Sequence, residues 1–95
     1  MVRSMAEGAR KDKTELVAEL RVFVVENFLF GVDDPGLTDT ASFLESGVID
    51  STGILELVGF VEKRYQLRVA DDEMIPENLD SLANVATYIA GKTDA

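Results

Sequence analysis

The 95-residue chain contains no cysteine and no histidine. Without cysteine there is no disulfide framework, no thiolate nucleophile and no thiolate metal ligand, so any thiol that the protein uses must be supplied from outside. Without histidine the chain lacks the usual general base near neutral pH and the usual neutral metal ligand. We therefore expect neither catalysis by this chain alone nor a metal site.

Long apolar runs are also missing. No segment approaches the roughly 20 apolar residues that cross a bilayer, and the N-terminus lacks the charged and then apolar layout of a signal peptide. We therefore expect a soluble, cytoplasmic protein that does not bind membranes. Ninety-five residues form one small domain, and a hydrophobic content of 46% is enough for it to fold without a partner.

Basic residues are scarce in the middle of the chain. The net charge is −9, and residues 22–62 include eight acidic residues but no lysine or arginine. Such a field repels nucleic acid and attracts basic protein surfaces. Acidic residues that only maintain solubility would explain the charge equally well, but their clustering around Ser51 favours protein docking.

The apolar pattern predicts an all-α fold of four helices, three of them longer and one short. The predicted helices span residues 14–30, 51–65, 70–75 and 82–90. Gly31 and Gly91 are expected to end the first and last helices. The connection between the first two helices is a long loop with a turn at Asp33-Asp34-Pro35-Gly36. Residues 1–13 are expected to form a flexible tail, 14–91 the folded domain and 92–95 a frayed end.

The three longer predicted helices each have an apolar stripe that is expected to face the core. The first stripe contains Leu16, Leu20, Phe23 and Phe30, with Val24 and Phe28 beside them. The second contains Ile54, Leu57, Val58, Val61 and Tyr65, and the last contains Leu82, Val85, Ala86 and Ile89. Five loop residues are expected to pack across the helices: Leu37, Phe43, Leu44, Val48 and Ile49.

The most informative segment is Glu45-Ser-Gly-Val-Ile-Asp50-Ser51, which leads into the second helix. A hydroxyl in the first turn of a helix is exposed. A phosphate ester attached there would lie against unpaired backbone N–H groups at the positive end of the helix dipole. The alternative is that Asp50 or Ser51 only caps the helix.

This segment, followed by a helix that carries Glu56 and Glu62, resembles the acyl and peptidyl carrier proteins. The resemblance extends from about Thr14 to Ala90. It implies a four-helix bundle of carrier-protein type, in which Ser51, next to Asp50, receives 4′-phosphopantetheine from coenzyme A. The arm's thiol would then hold an acyl or aminoacyl group as a thioester, and an apolar gap between the second and third helices would shelter the chain.

The resemblance also implies that one face of the second helix docks onto partner enzymes. This face consists of Thr52, Leu55, Glu56, Gly59 and Glu62. Many family members have leucine after the serine, whereas this chain has Thr52 at that position, which usually meets partner enzymes in the family. The first implied partner is a phosphopantetheinyl transferase. The others are an AMP-forming acyl or amino-acid ligase, or other acyl-processing enzymes of fatty-acid, polyketide or peptide-type biosynthesis. The carrier itself is expected to be a monomer. A solvated face with one exposed leucine is the alternative.

A second Asp-Ser pair occurs at Asp80-Ser81. Only fourteen residues follow Ser81, too few for the helices that follow the attachment serine in the family, so this pair is interpreted as a helix cap. The sequence allows two other functions. One is an acidic helical interaction domain without a prosthetic group. The other is a hydrolase, which is disfavoured because no base is placed to activate Ser51.

Overall fold

The computed structural model describes residues 12–94, and within them it contains helices but no strand. The five α-helices are α1 (Lys13–Phe28), α2 (Phe43–Ser46), α3 (Ser51–Tyr65), α4 (Pro76–Leu79) and α5 (Leu82–Asp94), and a 3₁₀ helix at Asp71–Glu73 precedes α4. The predicted all-α fold with three longer helices is confirmed. None of the helices in this part of the chain is long and apolar enough to cross a membrane.

A capping box determines where α1 begins. Asp12 Oδ1 accepts a hydrogen bond from Glu15 N at 2.9 Å, and Glu15 Oε1 accepts one from Asp12 N at 3.3 Å. These reciprocal bonds satisfy two N–H groups that a helix start leaves unpaired. The helix therefore begins at Lys13, inside the segment predicted as a flexible tail. Residues 1–11 of that segment lie outside the described residues.

The predicted core position of Phe30 is wrong. The helix ends at Phe28, and Phe30 lies beyond it with a φ angle of +57° and 96% of its surface exposed. A helical period predicts burial only while the chain is helical, so the stripe ends before this residue. Leu16, Leu20 and Val24 are the buried residues of α1.

One hydrophobic core joins the helices, and α5 packs against α1, α3 and α4. All four residues predicted to face the core from α5 are buried, as are Leu57, Val58 and Val61 of α3. Ile54 and Tyr65 are only partly buried at the edge of the core. The prediction for α3 is confirmed in its bounds and in the centre of its stripe.

Aromatic rings and a partly buried hydroxyl join α1 to α3. The rings of Phe23 and Phe60 stack with their centroids 4.1 Å apart. The hydroxyl of Tyr65 donates a hydrogen bond to Glu19 Oε1 at 2.8 Å. Burial, followed by the bond to Glu19, raises the pKa of Tyr65 above its ordinary value. The aromatic pair and the tyrosine therefore fix α3 along the side of α1.

The long loop between α1 and α3 is folded against the helices. Arg21 donates from its two terminal nitrogens to Asp33 at 3.2 Å and to Asp39 at 3.3 Å. Leu37, Phe43 and Ile49 are buried in the core, as predicted, and Val48 is half-buried. Leu44 was also expected in the core but is 45% exposed. The loop contains α2, a helix that the sequence pattern did not predict.

The predicted third helix at 70–75 is replaced by two shorter pieces. The 3₁₀ helix covers Asp71–Glu73, and Pro76 then begins α4 instead of following a helix. Proline suits a first helical position because its missing N–H would have no intrahelical partner there.

The last helix continues past Gly91 to Asp94, so the predicted stop at Gly91 is wrong. Two side-chain bonds stabilise its last turn. Lys92 Nζ donates to Glu73 at 2.9 Å, and Thr93 Oγ1 donates to the Ile89 carbonyl at 2.9 Å.

Candidate functional site

Ser51 is the first residue of α3, and its side chain is exposed. The helix is capped by its neighbour, because Asp50 Oδ1 accepts a hydrogen bond from Gly53 N at 2.7 Å. Asp50 therefore performs the capping that either residue could have provided, and the Ser51 hydroxyl is not needed for it. The hydroxyl lies at the positive end of a 15-residue helix, where an attached anion is stabilised.

The start of α3 is seated closely against the rest of the fold at Gly53. A methyl group placed on Gly53 would lie 2.8 Å from Ile49 Cγ2 and 2.9 Å from Phe28 Cε1. These distances are shorter than van der Waals contact, so only glycine allows this approach. The turn that presents Ser51 is thus held between the end of α1 and the end of the long loop.

A pocket of about 280 Å³ opens beside Ser51, between α3 and the segment that includes α4. Its lining is mostly apolar: Leu44, Ser51, Ile54, Leu55, Met74, Ile75, Pro76, Leu79 and Asp80. A dry cavity of roughly 150 Å³ is known to hold a benzene ring, so this pocket is large enough for a short acyl chain. It lies where the family resemblance implies an apolar gap.

The carboxylate of Asp80 fixes one edge of this pocket. The Ser42 hydroxyl donates a short hydrogen bond to Asp80 Oδ2, and Leu44 N donates to Oδ1 at 3.0 Å. Phe43 N donates to the Asp80 carbonyl at 2.8 Å. Asp80 therefore joins α2 to the end of α4, and both of its carboxylate oxygens are already hydrogen-bonded.

Ser81, the serine of the second Asp-Ser pair, is only 4% exposed. Its Oγ accepts a hydrogen bond from Asn84 N at 3.0 Å, which caps the start of α5. The interpretation of Ser81 as a capping residue is therefore confirmed. Of the two Asp-Ser pairs, only the one at Ser51 presents its hydroxyl to solvent.

Four of the five residues expected to dock partners lie together on the exposed face of α3. Thr52, Leu55, Glu56 and Gly59 are exposed, and Leu55 exposes 60% of its surface. Glu62 differs, because it is half-buried and its Oε2 accepts a hydrogen bond from Val69 N at 2.9 Å. Glu62 therefore holds the extended link after α3 in place.

The cluster formed by Glu73, Tyr88 and Lys92 was not predicted. Glu73 Oε1 accepts hydrogen bonds from Ala70 N at 3.0 Å, from the Tyr88 hydroxyl at 2.8 Å and from Lys92 Nζ at 2.9 Å. The bond from Ala70, followed by those from Lys92 and Tyr88, lowers the pKa of Glu73 to about 2. Burial, followed by the bond to Glu73, raises the pKa of Tyr88. A helical period identifies Tyr88 only as a residue beside the core stripe, so it gives no signal for this cluster.

Comparison with known proteins gives a consistent result. A family model described as the phosphopantetheine attachment site matches residues 29–89. Two acyl carrier proteins of Brachyspira hyodysenteriae are each 36% identical to the chain over 66 residues. The aligned region covers 70% of this chain and 82% of each relative.

Proposed function

Because this chain belongs to the phosphopantetheine-attachment family of carrier proteins, we propose that Ser51 is the residue that carries its covalently bound 4′-phosphopantetheine. One observation carries the assignment: Ser51 presents an exposed hydroxyl in the first turn of α3, beside an apolar pocket. The burial of Ser81 supports it, because the competing hydroxyl cannot reach an enzyme.

The residues around Ser51 have simple roles in this attachment. The Ser51 oxygen forms the bond to phosphorus, the pyrophosphate bond of coenzyme A breaks, the nucleotide leaves, and a base on the transferase takes the hydroxyl proton. Asp50 holds the first turn of α3 through its bond to Gly53 N. The N–H groups of that turn, together with the helix dipole, stabilise the phosphate charge.

When bound, the group supplies a thiol that holds an acyl chain as a thioester. We propose an apolar acyl group as the cargo in preference to an aminoacyl group. Seven of the nine lining residues of the pocket are apolar. The other two are Ser51 and Asp80, and the Asp80 carboxylate is already bonded to the Ser42 hydroxyl and to Leu44 N at the edge of the pocket.

We propose that partner enzymes dock on the face formed by Thr52, Leu55, Glu56 and Gly59, with Glu62 at its edge. Glu56 would pair with an arginine or lysine of the partner enzyme while Leu55 makes apolar contact with it. Attraction between the opposite charges also speeds the encounter. The tether then presents the cargo to a docked active site at high effective concentration. The proposed partners include a phosphopantetheinyl transferase and a loading ligase of the AMP-forming type or other acyl-processing enzymes.

The proposed setting is fatty-acid, polyketide or peptide-type biosynthesis, with a monomeric carrier working in the cytoplasm where coenzyme A is available. The cargo is the property that distinguishes these settings. To test the proposed cargo, the protein is loaded in parallel with short acyl-coenzyme A donors and with aminoacyl donors. The melting temperatures of the loaded forms are then compared. Stabilisation by aminoacyl loading alone would contradict the proposed apolar cargo.

Attachment is tested by intact mass after incubation with coenzyme A and a broad-specificity transferase. We expect the mass to increase by one phosphopantetheine group in the wild type and in Ser81→Ala, and to be unchanged in Ser51→Ala. An unchanged mass in the wild type, with a control carrier modified in the same reaction, would instead favour an acidic interaction domain without a prosthetic group.

Docking is tested by reversing one charge. Glu56→Lys should slow modification by the transferase at low salt, and added salt should reduce the difference because screening weakens the steering. Glu26→Lys is the matched control, since Glu26 is an exposed acid on α1, outside the proposed face. Equal rates for the two variants would place docking elsewhere.

A further inference from the structure

The outer side of the pocket is formed by a short segment between two anchors. We call residues 74–79 the pocket wall; they include the lining residues Met74, Ile75, Pro76 and Leu79. Asp80 anchors the wall at its C-terminal end through Ser42 and Leu44. Glu73 immediately precedes the wall and is its N-terminal anchor.

Glu73 makes bonds in two directions. Its side-chain Oε1 accepts from Tyr88 and Lys92, which lie on α5, and from Ala70 N in the preceding link. Its backbone carbonyl accepts from Asn78 Nδ2 at 2.8 Å and from Ile75 N at 2.9 Å, both within the wall. One residue thus connects the wall to the helix at the centre of the fold.

α5 also holds the wall directly, because Asn84 Nδ2 donates a hydrogen bond to the Pro76 carbonyl at 3.3 Å, but this bond lies C-terminal to Met74 and Ile75. Apart from α4, a single turn of four residues, the wall has no regular structure. Leu79 is buried, but Ile75 is 41% exposed and Met74 is only partly buried. Short segments with few buried apolar contacts open at low free-energy cost, so the position of Met74 and Ile75 depends on the anchors at the ends.

We propose that the Glu73–Tyr88–Lys92 cluster positions the pocket wall and thereby sets the length of acyl chain that the pocket accepts. The proposal rests on the function proposed above. With the cluster intact, Met74 and Ile75 stay close to α3 and the pocket of about 280 Å³ takes a short chain. With the cluster broken, the wall moves outward and a longer chain is accommodated.

The test uses full-length protein loaded by the transferase with acyl groups of four, six, eight and ten carbons, each confirmed by intact mass. The melting temperature of each loaded form is compared with that of the unacylated holo form. Each methylene that becomes buried should raise the melting temperature by about 3–6 °C, and methylenes that do not fit should add nothing. The variants are Glu73→Gln and the milder Tyr88→Phe, which removes one hydroxyl. Glu77→Gln, an exposed acid in the wall, is the matched control.

We expect both cluster variants to reach maximal stabilisation at a chain at least two carbons longer than the wild type and Glu77→Gln. A purely structural role would lower the melting temperature of every form equally and leave the chain-length ranking unchanged, which would overturn the proposal for the cluster alone. A wild-type chain that takes up no group at all would overturn both this proposal and the proposed function.

Discussion

Gly53 offers the sharpest test of how the turn bearing Ser51 is positioned. In Gly53→Ala, the added methyl group would lie 2.8 Å from Ile49 Cγ2 and 2.9 Å from Phe28 Cε1. Ile49 is buried and branched close to its backbone, so it cannot swing away as the tip of a flexible side chain could. The start of α3 must therefore shift away from α1 or strain its neighbours.

The same helix contains its own control. Gly59 is also in α3, but a methyl group added there meets no atom within 4 Å other than its chain neighbours and the backbone of its own helix. Alanine stabilises a helix relative to glycine by about 1 kcal/mol, and both variants gain this contribution. Overpacking destabilises Gly53→Ala by about 1–3 kcal/mol and does not affect Gly59→Ala. The difference in stability between the two variants is therefore the cost of the clash.

The assay is thermal unfolding of the two variants and the wild type. Gly59→Ala should melt about 4–8 °C higher than the wild type, and Gly53→Ala should melt at or below the wild type. Modification of Ser51 by the transferase should also be slower in Gly53→Ala. Equal rises in melting temperature for both variants would refute the claim that Gly53 is required for close packing.

Three further outcomes are expected. Asp50→Ala should lower the free energy of unfolding by about 1 kcal/mol in chemical denaturation, whereas Asp50→Asn, which can still cap the helix, should lower it less; equal losses would contradict the capping role. Because the pKa of Glu73 in the folded state, about 2, lies below its ordinary value of 4.5, its stabilising contribution is fully present above pH 4.5 and is lost as the pH falls towards 2. Glu73→Gln should therefore lose less stability than the wild type over that range, and parallel curves of melting temperature against pH would contradict this. Arg21→Gln should cost less than about 1 kcal/mol, since its partners are exposed, but should speed amide exchange at Leu37; unchanged exchange would show that Arg21 does not order the loop.

The sequence was sufficient to predict the elements whose signals are local. The bounds of α3 follow from a capping aspartate at one end and an apolar stripe that continues to Tyr65. The buried stripe of α5 was predicted for the same reason. The exposed hydroxyl of Ser51 follows from its place in the first turn, so the sequence was also sufficient to predict the centre of the candidate site.

Features that depend on distant partners could not be predicted. Asp80 bonds to Ser42 across 38 positions of the chain, and Glu73 bonds to Lys92 across 19. No periodic pattern records such pairs. The same limit applies to the pocket, whose lining comes from three separate segments. Local capping rules likewise gave no reason to expect Glu62 to bond to Val69 N instead of facing a partner.

The contrast between Ser51 and Ser81 has a consequence for how the protein matures. Both serines follow an aspartate, so an extended peptide displays two similar targets, and the tertiary fold hides one of them. On the proposed assignment, attachment of 4′-phosphopantetheine to a single serine is determined by the native fold and not by the Asp-Ser dipeptide. Acquisition of the arm is then expected to come after folding, because only the folded chain hides Ser81 and presents the proposed docking face of α3 beside Ser51.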